Sequence, residues 1–244
     1  MNTFIHRYEI DQSRPPAKQF WRDVAVRAIL PAVVLGAVIV GVGYLITGPL
    51  NNLPGEHKVN VWFVEQRNAT LNQVTHVISQ IGNTPIAVSI CIVMILILWW
   101  RTRQWWFALI PGLAMGLQAL IFLSSSLIVG RERPDVSHLD SSPPTTSYPS
   151  GHVGASTALY VSLALVAQRI RNRALRVVVT ILLLLCPPTM ATARLYRGMH
   201  SLSDVLAALV NGTVCAFIAW NYLRRDTSSG RTAAPTKEAA AQNA

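Results

Sequence analysis

Two histidines, an aspartate and a set of arginines are the residues of this chain whose types and spacing could do chemistry. Ser150, Gly151 and His152 lie in the stretch SYPSGHVGAS, residues 147–156, where an apolar run begins just after Pro149. Ser150 is a good helix N-cap. The same helix start binds anions if its amides stay free. Val153, at the third helical position, supplies no Glu or Gln for a capping box, so the amides of Gly151, His152 and Val153 remain available. His200 and Asp204 are four residues apart and share one face if helical, so the carboxylate can hold one ring nitrogen. The other nitrogen is then left as a nucleophile or base. Arg131, Arg133, Arg194 and Arg197 add guanidiniums suited to a phosphate dianion. Two histidines beside such a clamp fit phosphoryl transfer, with His200 attacking phosphorus and His152 protonating the leaving oxygen.

These residues are far apart in sequence, and the elements between them are apolar. Of 244 residues, 51% are hydrophobic and 13% charged. A soluble domain carries about 25% charge, so lipid is the expected solvent. Runs long enough to span a bilayer lie near 25–48, 84–100, 105–128, 152–168, 175–194 and 203–222. The first is longer than the apolar part of a signal peptide and no clear cleavage site follows, so it is read as a retained span. The fold expected is all-α, a polytopic membrane protein with six transmembrane helices. Residues 1–24 form a cytoplasmic N-terminal segment, 25–222 the membrane domain, and 223–244 a cytoplasmic tail expected to be disordered.

Charge sets the orientation. Of the 21 Lys and Arg residues, only Lys58, Arg67, Arg131, Arg133, Arg194 and Arg197 fall on one side; the others flank the opposite ends of the runs. The positive-inside rule then makes both termini cytoplasmic. Trp99, Trp100, Trp105 and Trp106 flank the turn at Arg101 as an interfacial belt would. The net charge of +10 is spread over these short segments, which argues against nucleic acid. The segment Leu71–Ile81 puts Leu71, Val74, Val77, Ile78 and Ile81 on one face, fitting a short interfacial helix or a polar extension of the second span.

In this topology four helix ends bring Arg131, Arg133, His152, Arg194, Arg197, His200 and Asp204 to one depth on the outer side. Ionisable groups at such a depth are costly and mark functional sites. Asp135, His138 and Asp140 lie in a Pro/Ser/Thr-rich loop whose spacing matches no metal-ligand pattern, so neither metal nor cofactor is expected. Cys91, Cys186 and Cys215 fall inside apolar runs and read as small core residues.

The order GRERP, PSGH and Arg194-x5-His200-x3-Asp204 resembles the six-span membrane branch of the type 2 phosphatidic acid phosphatase superfamily, whose pattern is K-x6-R-P, P-S-G-H and S-R-x5-H-x3-D. The resemblance implies a metal-independent phosphatase acting on lipid phosphates or diphosphates at the outer face of the plasma membrane. Arg133 and Arg194 would bind phosphate with Ser150 and the Gly151 amide. His152 would be the general acid, His200 the nucleophile and Asp204 its orienting partner. Two positions depart from the pattern: Ser126 stands where the lysine belongs, and Ala193 replaces the serine before Arg194. An extended chain after Gly130 would point Arg131 the same way as Arg133, so Arg131 is expected to supply the missing charge. A polyprenyl diphosphate is the first-choice substrate, with phosphatidate or phosphatidylglycerol phosphate next. A non-catalytic lipid-phosphate binding or flipping relative is the alternative from another class.

Overall fold

A computed structural model describes residues 3–141 and 145–225. Among these residues every regular element is helical. After the short α1 (Arg7–Ile10), α2 is a continuous helix, Ala17–Thr47, that passes through five residues of π geometry at Ala25–Ile29. Then come α3 (Gly55–Glu65), α4 (Ala69–Ile81), α5 (Thr84–Thr102), α6 (Trp105–Ala108), α7 (Ile110–Val129), α8 (Gly151–Ala167), α9 (Arg173–Tyr196) and α10 (Leu202–Trp220). Helices α2, α5, α7, α9 and α10 are long and apolar enough to cross a membrane. The sixth apolar helix, α8, has 17 residues, about 25 Å of rise.

The spans start and stop where local chemistry dictates. Asn68, Asn83 and Asn172 each cap a helix by accepting a backbone N–H, from Leu71, Thr84 and Leu175. Gly130, at φ +66°, closes α7 in the left-handed region that glycine adopts freely. The third apolar run breaks in two at Leu109, with Pro111 in the first turn of α7.

Helix α8 is the hub, packed against α7, α9 and α10. Small residues allow that closeness: a Cβ added to Gly212 would lie 2.6 Å from the Gly154 carbonyl oxygen and 2.9 Å from the Ala158 nitrogen. The lipid-facing sides of α2, α5, α7 and α9 expose Val33, Ile92, Leu120, Leu127 and Leu182. That inversion is expected when lipid, not water, is the solvent.

The N-terminal segment packs onto the body. Tyr8 Oη donates to the Trp220 carbonyl at 3.0 Å, and an Arg7 Nη2 donates to the Leu223 carbonyl at 3.1 Å. Trp106 is buried with them rather than belonging to an interfacial belt, whereas Trp99 and Trp100 are exposed as expected. Residues 226–244, most of the tail expected to be disordered, lie outside the described residues. The segment from Leu71 forms a separate helix, α4, broken from α5 at Gly82. Its apolar face is exposed, while its polar face, with Thr75 and Ser79, turns toward the arginine cluster. Helix α3, which the apolar pattern does not announce, brings Glu56 and Asn60 to the same end of the bundle.

Candidate active site

The sequence-predicted residues converge at one end of the bundle, with Asp204 and Arg131 departing from the contacts expected of them. A cavity of about 610 Å³ opens there, and Arg133, Gly151, His152, Arg194 and His200 all line it. Below them the walls, formed by α5 and α7, are apolar except at Gln118.

Helix α8 opens at Gly151, and Ser150 makes no side-chain cap bond. The Ser150 hydroxyl is fully buried and has no partner. Position 151 must be small, because a Cβ there would stand 2.9 Å from the Phe122 ring. The first amides of the helix lack partners within it. Arg133 is fixed by Nη1 donating to the Met199 carbonyl (2.7 Å) and Nη2 to the Thr145 carbonyl (3.1 Å). Arg194, 2% exposed, donates through Nη1 to Ser79 Oγ (2.7 Å) and Asp140 Oδ2 (2.8 Å), and its Nε has no partner. Arg194 lines the cavity, whereas Ser150 lies behind its wall, and each keeps one buried polar atom without a partner, a guanidinium N–H and a hydroxyl. Burial holds the Arg133 guanidinium below its ordinary value, the Asp204 carboxylate opposing this.

His200 is 3% exposed, and its Nδ1 lies 2.8 Å from the Ser147 carbonyl oxygen. A carbonyl only accepts, so Nδ1 carries the proton and Nε2 is left with its lone pair. Burial, then the Arg194 and Arg133 charges, push the ring well below the ordinary histidine value, so it stays neutral. The expected direct contact from Asp204 is absent: its Oδ2 is 3.9 Å from Nδ1. Asp204 instead accepts from Ser147 Oγ (2.6 Å), the Ser201 amide (2.8 Å) and Arg131 Nη1 (2.6 Å). It anchors the residue that holds the histidine, because its first-turn position in α10 directs the carboxylate to the Ser201 backbone N–H.

Arg131 also departs from expectation. It lines a separate cavity of about 460 Å³ beside α3, which Arg133 also borders, and not the one shared by His152, Arg194 and His200. It is 5% exposed and donates to Asp204, to Ser203 Oγ (2.6 Å), to Glu56 Oε2 (3.0 Å) and to the Asn52 carbonyl (3.0 Å). Burial opposes its charge, but the two carboxylates outweigh that and raise its value. The reason is the left-handed Gly130, which turns the chain so that Arg131 faces α3 and the start of α10. Ser126, in the lysine's place, is 2% exposed and ties down the segment before Ser147. Its hydroxyl meets Thr146 Oγ1 at 2.9 Å and accepts from the Thr146 amide at 3.1 Å.

Three participants are invisible to motif spacing. The Ser147 carbonyl has no residue-type signal. Glu56 lies in an unremarkable stretch of α3. Asp140 bridges Arg194 and Arg197, with Oδ1 2.6 Å from Arg197 Nη2. Burial raises the Asp140 carboxyl, yet Arg197 and Arg194 together hold it below the ordinary carboxylate range. Arg197 is thus taken up by Asp140 and Thr75 (3.2 Å). His138 Nε2 contacts the Pro134 carbonyl oxygen (3.0 Å), and among the described residues no three His, Cys, Asp or Glu are placed to hold a metal ion.

The motif order, the helix ends and this cavity together decide the family, and the model of the PAP2 superfamily matches residues 107–228. The chain belongs to the PAP2 superfamily. Its fold is similar to the crystal structure of the first transmembrane PAP2-type phosphatidylglycerolphosphate phosphatase from Bacillus subtilis. That match has a TM-score of 0.65 at 21% identity and covers 78% of this chain and 91% of that one. Aquifex aeolicus LpxE is similar at TM-score 0.52 and 20% identity, over 66% of this chain and 92% of its own. No curated protein matches the chain.

Proposed function

We propose that this PAP2 protein is a membrane phosphatase that removes phosphate from a lipid phosphate or diphosphate through a phosphohistidine. The observation that carries the reading is His200, neutral and tautomer-fixed at Nδ1, lining the same cavity as Arg133, Arg194 and the start of α8. The lipid phosphate rests against the two guanidiniums, the Ser150 hydroxyl and the Gly151 amide. His200 Nε2 attacks phosphorus, the bond from phosphorus to the lipid oxygen breaks, and His152 gives that oxygen a proton. Water then attacks the phosphohistidine while His152 takes its proton, the P–N bond breaks, and inorganic phosphate leaves. The guanidiniums act in a site screened from water, where their effect on the developing charge is largest.

The likeness to a phosphatidylglycerolphosphate phosphatase supports a lipid substrate. By the positive-inside rule the termini are cytoplasmic and the site faces out from the plasma membrane. Polyprenyl diphosphate, phosphatidate and phosphatidylglycerol phosphate offer the same terminal phosphate, so the clamp does not choose among them. No metal enters these steps. The test is phosphate release by the purified protein in detergent with EDTA present, on those three lipids, against His200→Ala. Release that survives EDTA and vanishes in the variant is expected. Release that continues in His200→Ala overturns the phosphohistidine route.

A further inference from the structure

Below the phosphate clamp the cavity runs down between α5 and α7 and is apolar except for one side chain. Gln118, on α7, lines it, is 1% exposed, and its Nε2 has no hydrogen-bond partner. Its backbone carbonyl accepts from Asn211 Nδ2 at 3.5 Å. An uncharged amide inside a spanning helix is costly where it stays unpaired, and polar groups at that depth mark function.

The position of this amide is set by two facing helices. Phe122 packs under Gly151, at the level of the clamp. Gln118 precedes Phe122 by one turn, and its amide packs against Gly154, one turn further along α8: a Cβ there would meet Nε2 at 2.1 Å. Gln118 therefore lies ~6 Å deeper than the clamp. The groove closes lower still, where a Cβ on Gly112 would meet Ile95 at 2.9 Å. In a glycerolipid, the ester carbonyl oxygens follow the phosphate ester oxygen by a few bonds, at about this depth. In a polyprenyl phosphate only hydrocarbon lies there.

Resting on the phosphatase reading above, we propose that Gln118 is a specificity-determining residue. Its amide donates to an ester carbonyl oxygen of a diacylglycerol-based lipid phosphate and so selects that class over polyprenyl phosphates. A half-turn of the amide exchanges its donor and acceptor ends, so the group can present N–H to the groove. Sites built to hydrogen-bond an oxygen reject analogues that lack it, because the buried polar group is left unpaired.

The experiment uses the full chain in mixed micelles and three monophosphates: a diacyl phosphatidate, its diether analogue with the same chains, and a polyprenyl monophosphate. For the unaltered protein, kcat/KM for the diester should exceed that for the diether and for the polyprenyl lipid by about tenfold or more. In Gln118→Leu the diester-to-diether ratio should fall toward one. A ratio near one in the unaltered protein, or a ratio that persists in Gln118→Leu, overturns the role of Gln118 and leaves the phosphatase reading standing. If Gln118→Leu does not fold, the unaltered protein still decides: a preference for the polyprenyl lipid refutes the inference. Release from none of the three overturns the inference, and the separate panel with polyprenyl diphosphate and phosphatidylglycerol phosphate then decides the phosphatase reading.

Discussion

Replacing Arg131 by methionine keeps much of the side chain's volume and removes its charge, which separates two roles that the chain could have given it. In the structure Arg131 is the cation between Asp204, fully buried, and Glu56, 13% exposed. It makes four hydrogen bonds, to Ser203, Asp204, Asn52 and Glu56. Removing one partner of such a buried pair leaves uncompensated charge behind, which destabilises by about 3–5 kcal/mol. For a chain of this size that is a fall in Tm of roughly 10 °C. Thermal unfolding in detergent measures it. Adding Glu56→Gln to Arg131→Met should lose less than the sum of the two single changes, because the second removes a charge the first left unpaired. Inorganic phosphate inhibition provides the other readout. Arg131 does not line the cavity, so the inhibition constant should move less than about twofold, whereas Arg133→Met, which strips a guanidinium from the clamp, should weaken inhibition tenfold or more. An Arg131→Met protein of unchanged Tm whose phosphate inhibition weakens tenfold would refute the reasoning and return Arg131 to the clamp.

Acid should weaken this end of the bundle before the spans. His200 is held below its ordinary value of 6.5. Between that lower value and about 6.5 the unfolded chain therefore binds more protons, and stability is full above about 6.5 and lost as pH falls through the window. The Asp140 contribution is present above its ordinary 3.8 and is lost as pH falls through its depressed value. Unfolding followed from pH 7.5 downward should show the first loss below 6.5, and kcat/KM should hold its acid limb below 6.5; a limb at or above 6.5 would show that His200 protonates freely. Gly212→Ala should lower stability by about 1–3 kcal/mol, since its methyl meets backbone of α8 that cannot step aside. Gly41→Ala, with open space around it, serves as the comparison in the same unfolding assay.

The spans, their approximate limits and the end of the bundle where the candidate site residues meet were legible in the sequence, because each follows from local quantities. Twenty apolar residues span lipid whatever their neighbours, Asn and Ser open helices, and motif residues at helix ends must meet once the helices alternate in direction. The convergence of Arg133, His152, Arg194 and His200 on one cavity follows from that alternation. Partner choice was not legible. Asp204 is at the right spacing to touch His200, yet its place in the first turn of α10 directs the carboxylate to Ser201, Ser147 and Arg131, leaving a carbonyl to hold the ring. Arg131 and Arg133 are two apart in sequence, but the left-handed Gly130 and the nearby α3 carboxylate turn the first away from the cavity. Asp140 finds Arg194 and Arg197, more than fifty residues away. Charges in a low-dielectric interior pair with whichever opposite charge the packing brings near, and that depends on helices distant in sequence. The residue types and their order marked the candidate site; the tertiary structure decided which atom holds which.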